Sequence, residues 1–189
     1  MKTGIVFHEL YLWHDTGNHA DYVPYGFPVE PFKHSENPDA KRRIKNLMEV
    51  SGLYEKLFQI TPRKATKDEI LLFHTEDHFE HIKSLNNSMN IDAGITTPTG
   101  IGSFDIALLS AGGVIEAIDH VIDEKVNNAY ALVRPPGHHA MPNKAMGFCI
   151  FGNAAIAGKH ALKNKDLHKI AFIDWDVHHG NGTLSLIHI

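Results

Sequence analysis

The sequence predicts an α/β domain in which a parallel sheet is covered by helices on both faces. Short β-branched and apolar runs alternate along the chain with longer stretches of helical periodicity. The run Ile170-Ala171-Phe172-Ile173 is apolar without interruption, as a strand buried on both faces must be. The residues with the most distinctive chemistry follow two of the expected strands, which is where ligands sit in open α/β sheets. A length of 189 residues, 43% of them apolar and 21% charged, suits one hydrophobic core, and no repeat, low-complexity stretch or linker divides it.

The elements follow in order. Residues 3–7 form a first strand, and residues 11–32, rich in aromatics, glycine and proline, form a long loop of the kind that often carries function. Ile44, Leu47, Met48 and Val50, closed by Gly52, mark an amphipathic helix over 39–50. Two short helices are expected over 67–73 and 76–85. A long one over 103–122 buries a face through Ile106, Leu109, Gly113, Val114, Ala117, Ile118 and Val121. Residues 130–133 read as a strand running into the rigid turn Arg134-Pro135-Pro136-Gly137, residues 154–162 as a helix with a small-residue packing side, and residues 170–173 as a further strand.

Composition excludes several functions. The net charge is −4, and no run of like charges exceeds Lys41-Arg42-Arg43, so no electrostatic footprint for nucleic acid or anionic lipid is present. The single cysteine, Cys149, rules out an intrachain disulfide and any Cys-only zinc cluster, and fits a reducing compartment. His8 and Glu9 cut short the opening run Ile5-Val6-Phe7, and nowhere do about 18 apolar residues follow one another. A cytoplasmic protein without a membrane or nucleic-acid partner is expected; the sequence carries no signal of oligomeric state.

Two motifs carry the chemistry: Pro135-Pro136-Gly137-His138-His139, and Asp174-Trp175-Asp176-Val177-His178-His179-Gly180-Asn181-Gly182. In an extended chain Asp174, Asp176 and His178 project to one side. Two carboxylates and an imidazole are costly to bury together unless a cation or hydrogen-bond donors balance them. The Asp-x-His pair suits Zn²⁺, with Fe²⁺ or Co²⁺ as alternatives, and supplies two ligands, leaving one protein ligand to be found. The tandem histidines are fixed in direction by the turn, and beside a cation-activated water they point to proton transfer. Each needs an orienting partner, for which Asp174 and Asn181 are available. An Asp partner favours an imidazolium and an Asn does not, so the two histidines should differ in basicity.

With Tyr11-Leu12-Trp13-His14-Asp15-Thr16-Gly17, Ser110-Ala111-Gly112-Gly113 and Met146-Gly147-Phe148-Cys149-Ile150-Phe151 added, the sequence resembles the histone deacetylase family, and most of all the bacterial class II deacetylase-like amidohydrolases. The resemblance runs from Met1 to about Thr183. It implies the three-layer arginase/deacetylase fold, truncated, with about half of the family's sheet absent. It implies that Asp176 and His178 bind one catalytic Zn²⁺, that His139 is general base and acid with Asn181 behind it, and that His138 is an electrostatic partner paired with Asp174. Gly147 would accept the substrate amide proton through its carbonyl, and Phe148 would wall the acyl-lysine tunnel. Asp174, with the backbone carbonyls of Asp176 and His178, would hold a structural monovalent cation, K⁺. The implied substrates are acetylated lysine peptides or acetylpolyamines.

A second zinc-ligating Asp, a carbonyl-polarising Tyr or His, and the opposite tunnel wall have no counterpart in the sequence, so residues 1–183 are expected to be an inactive N-terminal part of a single deacetylase domain. Residues 184–189 follow a glycine-rich turn and match what a transposon end used in library preparation encodes. They are expected to be a non-native tail, which the adjoining genomic DNA would confirm or exclude.

Blander roles are expected elsewhere. His74, His78 and His81 have helical spacing, but their flanking acids suit an exposed helix face, and His8, His14, His19, His34, His120, His160 and His168 are assigned no ligand role. Trp175 and Val177 are expected to pack, Cys149 to be a buried filler, Arg42 and Arg43 to be solvated. Asp92 lies in an Asn- and Gly-containing loop and is left unassigned. The rival functions are a ureohydrolase with two Mn²⁺ ions, a catalytically dead acetyl-ligand binding module, and metal storage. The first needs a carboxylate where this chain has Gly180.

Overall fold

The strand β1 (Thr3–Val6) lies between β2 (Phe58–Ile60) and β6 (Asn128–Ala131) in a three-stranded parallel sheet of a computed structural model, which describes every residue except 19–22, 24–26, 166 and 189. Ile5 sits opposite Gln59 on one side and Tyr130 on the other, Val6 opposite Ile60 and Ala131. Side chains alternate across a strand, and the two central residues show it. Val6 joins Tyr11, Ile60, Ile106 and Leu109, a cluster under helix α4 (Ser103–Ile122), whereas Ile5 joins Met48 of helix α1 (Asp39–Val50) and Leu132. The sheet is therefore parallel and covered on both faces, as expected.

The larger core lies between α4 and α5 (Asn153–Asn164). Ala155, Ala157 and Ala161 let α5 approach closely, and Phe79, Phe104 and Phe151 fill the space beside it with perpendicular and stacked rings. The short helices α2 (Lys67–Ile70) and α3 (Glu76–Ser84) start at Thr66 and Thr75, whose hydroxyls accept backbone N–H groups of the first turn. Between α3 and α4 run β3 (Ile91–Asp92), β4 (Gly94–Ile95) and β5 (Pro98–Thr99). β3 pairs with β5, and β4 with β7 (Ala145–Met146). The Asp92 carboxylate accepts the N–H groups of Gly94, Thr96 and Thr97 and so shapes this loop. Among the described residues no helix is long and apolar enough to cross a membrane.

Several expectations need correction. The strand expected over 170–173 does not form. Residues 167–176 carry no regular structure, because no described strand offers them a hydrogen-bonded neighbour. Trp175 and Val177, expected to pack, are 90% and 92% exposed for the same reason. Of the apolar face of α1 only Met48 reaches the sheet, while Ile44, Leu47 and Val50 stay exposed, since three strands give the helix a narrow floor. The strand expected at 130–133 lies two residues earlier, and β2 was not expected, three residues being too few to show a period. In the loop expected over 11–32 a 3-10 turn (Glu9–Trp13) buries Tyr11 and Leu12, whereas residues 19–22 and 24–26, His19 among them, fall outside the described residues. At the other end α6 (Asn181–Leu184) continues as a 3-10 turn (Ser185–His188) with Leu186 against the core.

Candidate active site

Past β6 the chain turns sharply at Arg134, whose side chain is fully buried. Arg134 Nε donates to both carboxylate oxygens of Glu36 at 2.9 Å, and its other nitrogens donate to the carbonyls of Tyr11, His14 and Glu36 and to the Thr16 hydroxyl. A buried guanidinium needs such a complete set of acceptors, and here they come from two stretches of chain, residues 11–16 and Glu36. The Pro135 carbonyl accepts from Ser110 of α4 and Asn153 of α5, at 3.0 and 3.1 Å. The turn leading to the tandem histidines is thus tied to both core helices and to the long loop.

His138 and His139 then lie with ring centroids 4.0 Å apart. The carboxylate of Asp174 accepts from His138 Nδ1 at 2.9 Å. That bond, with the Asp176 backbone N–H donating to the other oxygen, holds the Asp174 carboxyl below the usual carboxylate range. Asn181 stands behind His139. Its Nδ2 donates to the His139 carbonyl at 3.0 Å and faces Met141 Sδ at 3.2 Å, which leaves Oδ1 to accept from His139 Nδ1 at 2.7 Å. This network assigns the proton to Nδ1, so the Nε2 lone pair of His139 is free to act as a base. The expected pairing of each histidine with a different partner is present.

Asp176 and His178 lie beside the pair. Asp176 Oδ1 is 4.0 Å from His138 Nε2, and the rings of His139 and His178 are 5.8 Å apart. Asp176 Oδ1 also accepts the His178 backbone N–H at 2.8 Å and lies 3.1 Å from His178 Nδ1. The backbone bond is the main reason the Asp176 carboxyl sits below its ordinary range. One carboxylate and one imidazole suit a borderline cation such as Zn²⁺, and they are two of the three protein donors a catalytic site uses. Among the described residues no group of three or more His, Cys, Asp or Glu side chains is arranged to hold a metal ion.

Two glycines decide what can stand nearby. A Cβ on Gly180 would come within 2.2 Å of Asp174 Oδ2, so the carboxylate that a second metal ion requires could stand here only if the Asp174 side chain moved off His138. Gly147 has φ +54°, and a Cβ there would meet the His139 ring at 2.5 Å; its bare backbone lies directly against that imidazole. Phe148 follows, half-buried, with φ +68° and its N–H donating to the Thr96 carbonyl at 3.0 Å.

The structure brings His138, His139, Asp174, Asp176, His178 and Asn181 together, and sets Gly147 and Phe148 at their edge. The histone deacetylase domain profile matches residues 34–188. The chain belongs to the histone deacetylase family. It is 43% identical over 188 residues to the histone deacetylase-like amidohydrolase of Pseudomonas aeruginosa, covering 98% of this chain and 50% of that protein. It is 36% identical over 161 residues to the polyamine deacetylase HDAC10 of Danio rerio, covering 82% of this chain and 24% of that one. The crystal structure of the HDA15 HD domain matches with a TM-score of 0.87 and 32% identity, over 99% of this chain and 50% of that one. The fold is that of the arginase/deacetylase group, and the chain spans half the length of the Pseudomonas aeruginosa protein and of the HDA15 HD domain.

Within this family member, some residues play parts that the sequence hid. Glu36, 98 residues from its partner Arg134, went unnoticed; an arginine between an apolar strand and two prolines does signal a buried cation, but not where its carboxylate lies. His74 and His78, expected on an exposed helix face, are buried. His74 Nδ1 faces the Pro142 carbonyl at 3.2 Å while its Nε2 accepts the Gly152 N–H at 2.9 Å, and His78 Nε2 faces the Ile150 carbonyl. Burial draws the His74 imidazole down to about 3 and lowers His78 as well. Cys149 is fully buried and its thiol is pushed up to about 12, which agrees with a packing role. Arg42 and Arg43 are exposed, as expected.

Proposed function

We propose that this chain carries the proton-transfer groups and two of the metal ligands of a Zn²⁺-dependent deacetylase, which hydrolyses the amide of an N-acetyl-lysine side chain or an acetylated polyamine. The observation that carries the reading is the differential support of two adjacent imidazoles, His138 by the carboxylate of Asp174 and His139 by the amide of Asn181. Asp176 and His178 would hold the ion, whose chemistry when bound is to lower the pKa of a water from about 15.7 to about 7. His139, with Nδ1 occupied by Asn181, would use Nε2 to take a proton from the attacking water and to give it to the departing amine. His138, held by the Asp174 carboxylate on Nδ1, would stand beside the developing oxyanion. The Gly147 carbonyl would accept the substrate amide N–H, and Phe148 would line the acyl channel. The third ligand and a carbonyl-polarising Tyr or His have no counterpart among residues 1–183, so these residues alone would not turn over substrate. Similarity to an amidohydrolase and to a polyamine deacetylase supports this choice of chemistry.

The test is release of acetate from an acetyl-lysine peptide and from an acetylated polyamine by the full-length protein, stripped of metal by a chelator and reloaded with Zn²⁺. Activity restored by one ion per chain, and lowered at least about 10²-fold by His139→Ala, is expected. Two ions per chain would replace the proposal with the binuclear ureohydrolase. Tight binding of the acetylated ligand without turnover would replace it with a binding module.

A further inference from the structure

His34, just past the long loop, stands at the edge of the candidate site. His34 is fully buried, and its Nδ1 lies 3.1 Å from the backbone nitrogen of Glu36. Glu36 is fixed in turn, its carboxylate by Arg134 and its carbonyl by the Thr16 hydroxyl at 2.7 Å. From this anchor the imidazole stands against Phe148, ring centroids 4.7 Å apart and planes at 82°. Perpendicular aromatic pairs occupy separations of about 4.5–7 Å, so the contact is near the close limit. Phe148 needs such support, since its φ of +68° is one a side-chain-bearing residue keeps only when its surroundings impose it. On its other flank Gly147 lies against His139. A rigid line of contacts thus runs from Arg134, at the root of the histidine turn, through Glu36 and His34 to the ring beside the base.

We propose that His34 is a specificity-determining residue: by fixing the tilt of the Phe148 ring it restricts the channel to the acetyl group and disfavours longer acyl chains. The proposal rests on the deacetylase reading of the site. Its chemistry is steric, so its signature is a change in the ratio of kcat/KM for acetyl-lysine and butyryl-lysine peptides, which a merely structural role would not move. The experiment compares the full-length wild type with His34→Phe, which keeps an aromatic ring at the contact, and His34→Leu, which fills similar space without one; both avoid the large cavity of an alanine. His34→Phe keeps the ring but loses the acceptor for the Glu36 N–H, so its ratio is expected to fall less than that of His34→Leu. In His34→Leu the acetyl preference is expected to fall by about threefold to tenfold, the range of one aromatic pair. A wild-type ratio in both variants, or an equal fall in both, overturns the assignment of His34. A wild type that hydrolyses neither peptide nor an acetylated polyamine overturns the deacetylase reading itself, and this inference with it.

Discussion

Glu36→Gln is the substitution whose cost follows most directly from the geometry. The Arg134 side chain is 0% exposed and that of Glu36 7%, and Nε lies 2.9 Å from both carboxylate oxygens. Glutamine preserves the shape and one acceptor, so every other partner of the guanidinium remains, and the loss reports the missing charge. An uncompensated buried charge costs about 3–5 kcal/mol, and Glu36→Gln should sit at the lower end and Glu36→Ala at the upper. Lys41 Nζ, 3.6 Å from Glu36 Oε1, loses an attraction as well, but at the rim and with little effect. Against a total stability of about 5–15 kcal/mol this is a large fraction. Urea unfolding of the full-length protein followed by circular dichroism should show a lower midpoint at unchanged slope. A fall under about 1 kcal/mol for Glu36→Gln would refute the reasoning.

Further outcomes follow from the site and the core. His74 titrates near 3 when folded and near its ordinary value when unfolded, so the unfolded chain takes up the proton first and stability falls as pH drops from about 6.5 towards 3. The slope is at most about 1.4 kcal/mol per pH unit from this residue, with His78 adding to it, and urea midpoints between pH 7.5 and 5 should flatten in His74→Gln. Gly147→Ala drives a Cβ into the His139 ring and strains a backbone at φ +54°, so on the proposed mechanism kcat should fall about 10²-fold; kinetics within a factor of two of wild type would show that the Gly147–His139 contact does not govern catalysis. Asn181→Ala frees the His139 ring, and a drop of about tenfold to a hundredfold in kcat/KM is expected in peptide hydrolysis assays.

Much of the candidate site was legible because its chemistry is local. Asp174, Asp176 and His178 declare themselves by spacing, and a Pro-Pro-Gly turn before two histidines restricts where those can point. Their pairing with Asp174 and Asn181 needed only the choice of a carboxylate or an amide for each ring. The helices of α1 and α4 were legible through periodicity, to the residue at both ends. What stayed hidden depends on distant partners. Nothing local distinguishes Glu36, which neutralises a cation 98 residues away, from an exposed glutamate. Acids flanking His74 and His78 suggested solvent, but the two imidazoles point from their backbone towards Phe151 in the core. The run over 170–173 shows the opposite failure: apolar residues state a need for neighbours, and a strand exists only where another strand supplies the hydrogen bonds.

The two bonds that orient the histidine pair join residues 36 and 42 positions apart. During synthesis at about 5–20 residues per second, the turn bearing His138 and His139 therefore leaves the ribosome about 2–8 s before Asp174 and Asn181 follow it. Throughout that interval the Arg134 anchor can already form, since Tyr11, His14, Thr16 and Glu36 all precede it. The nascent chain can thus fasten the base of the turn first and align the imidazoles afterwards, an order written into the positions of the partners along the polypeptide.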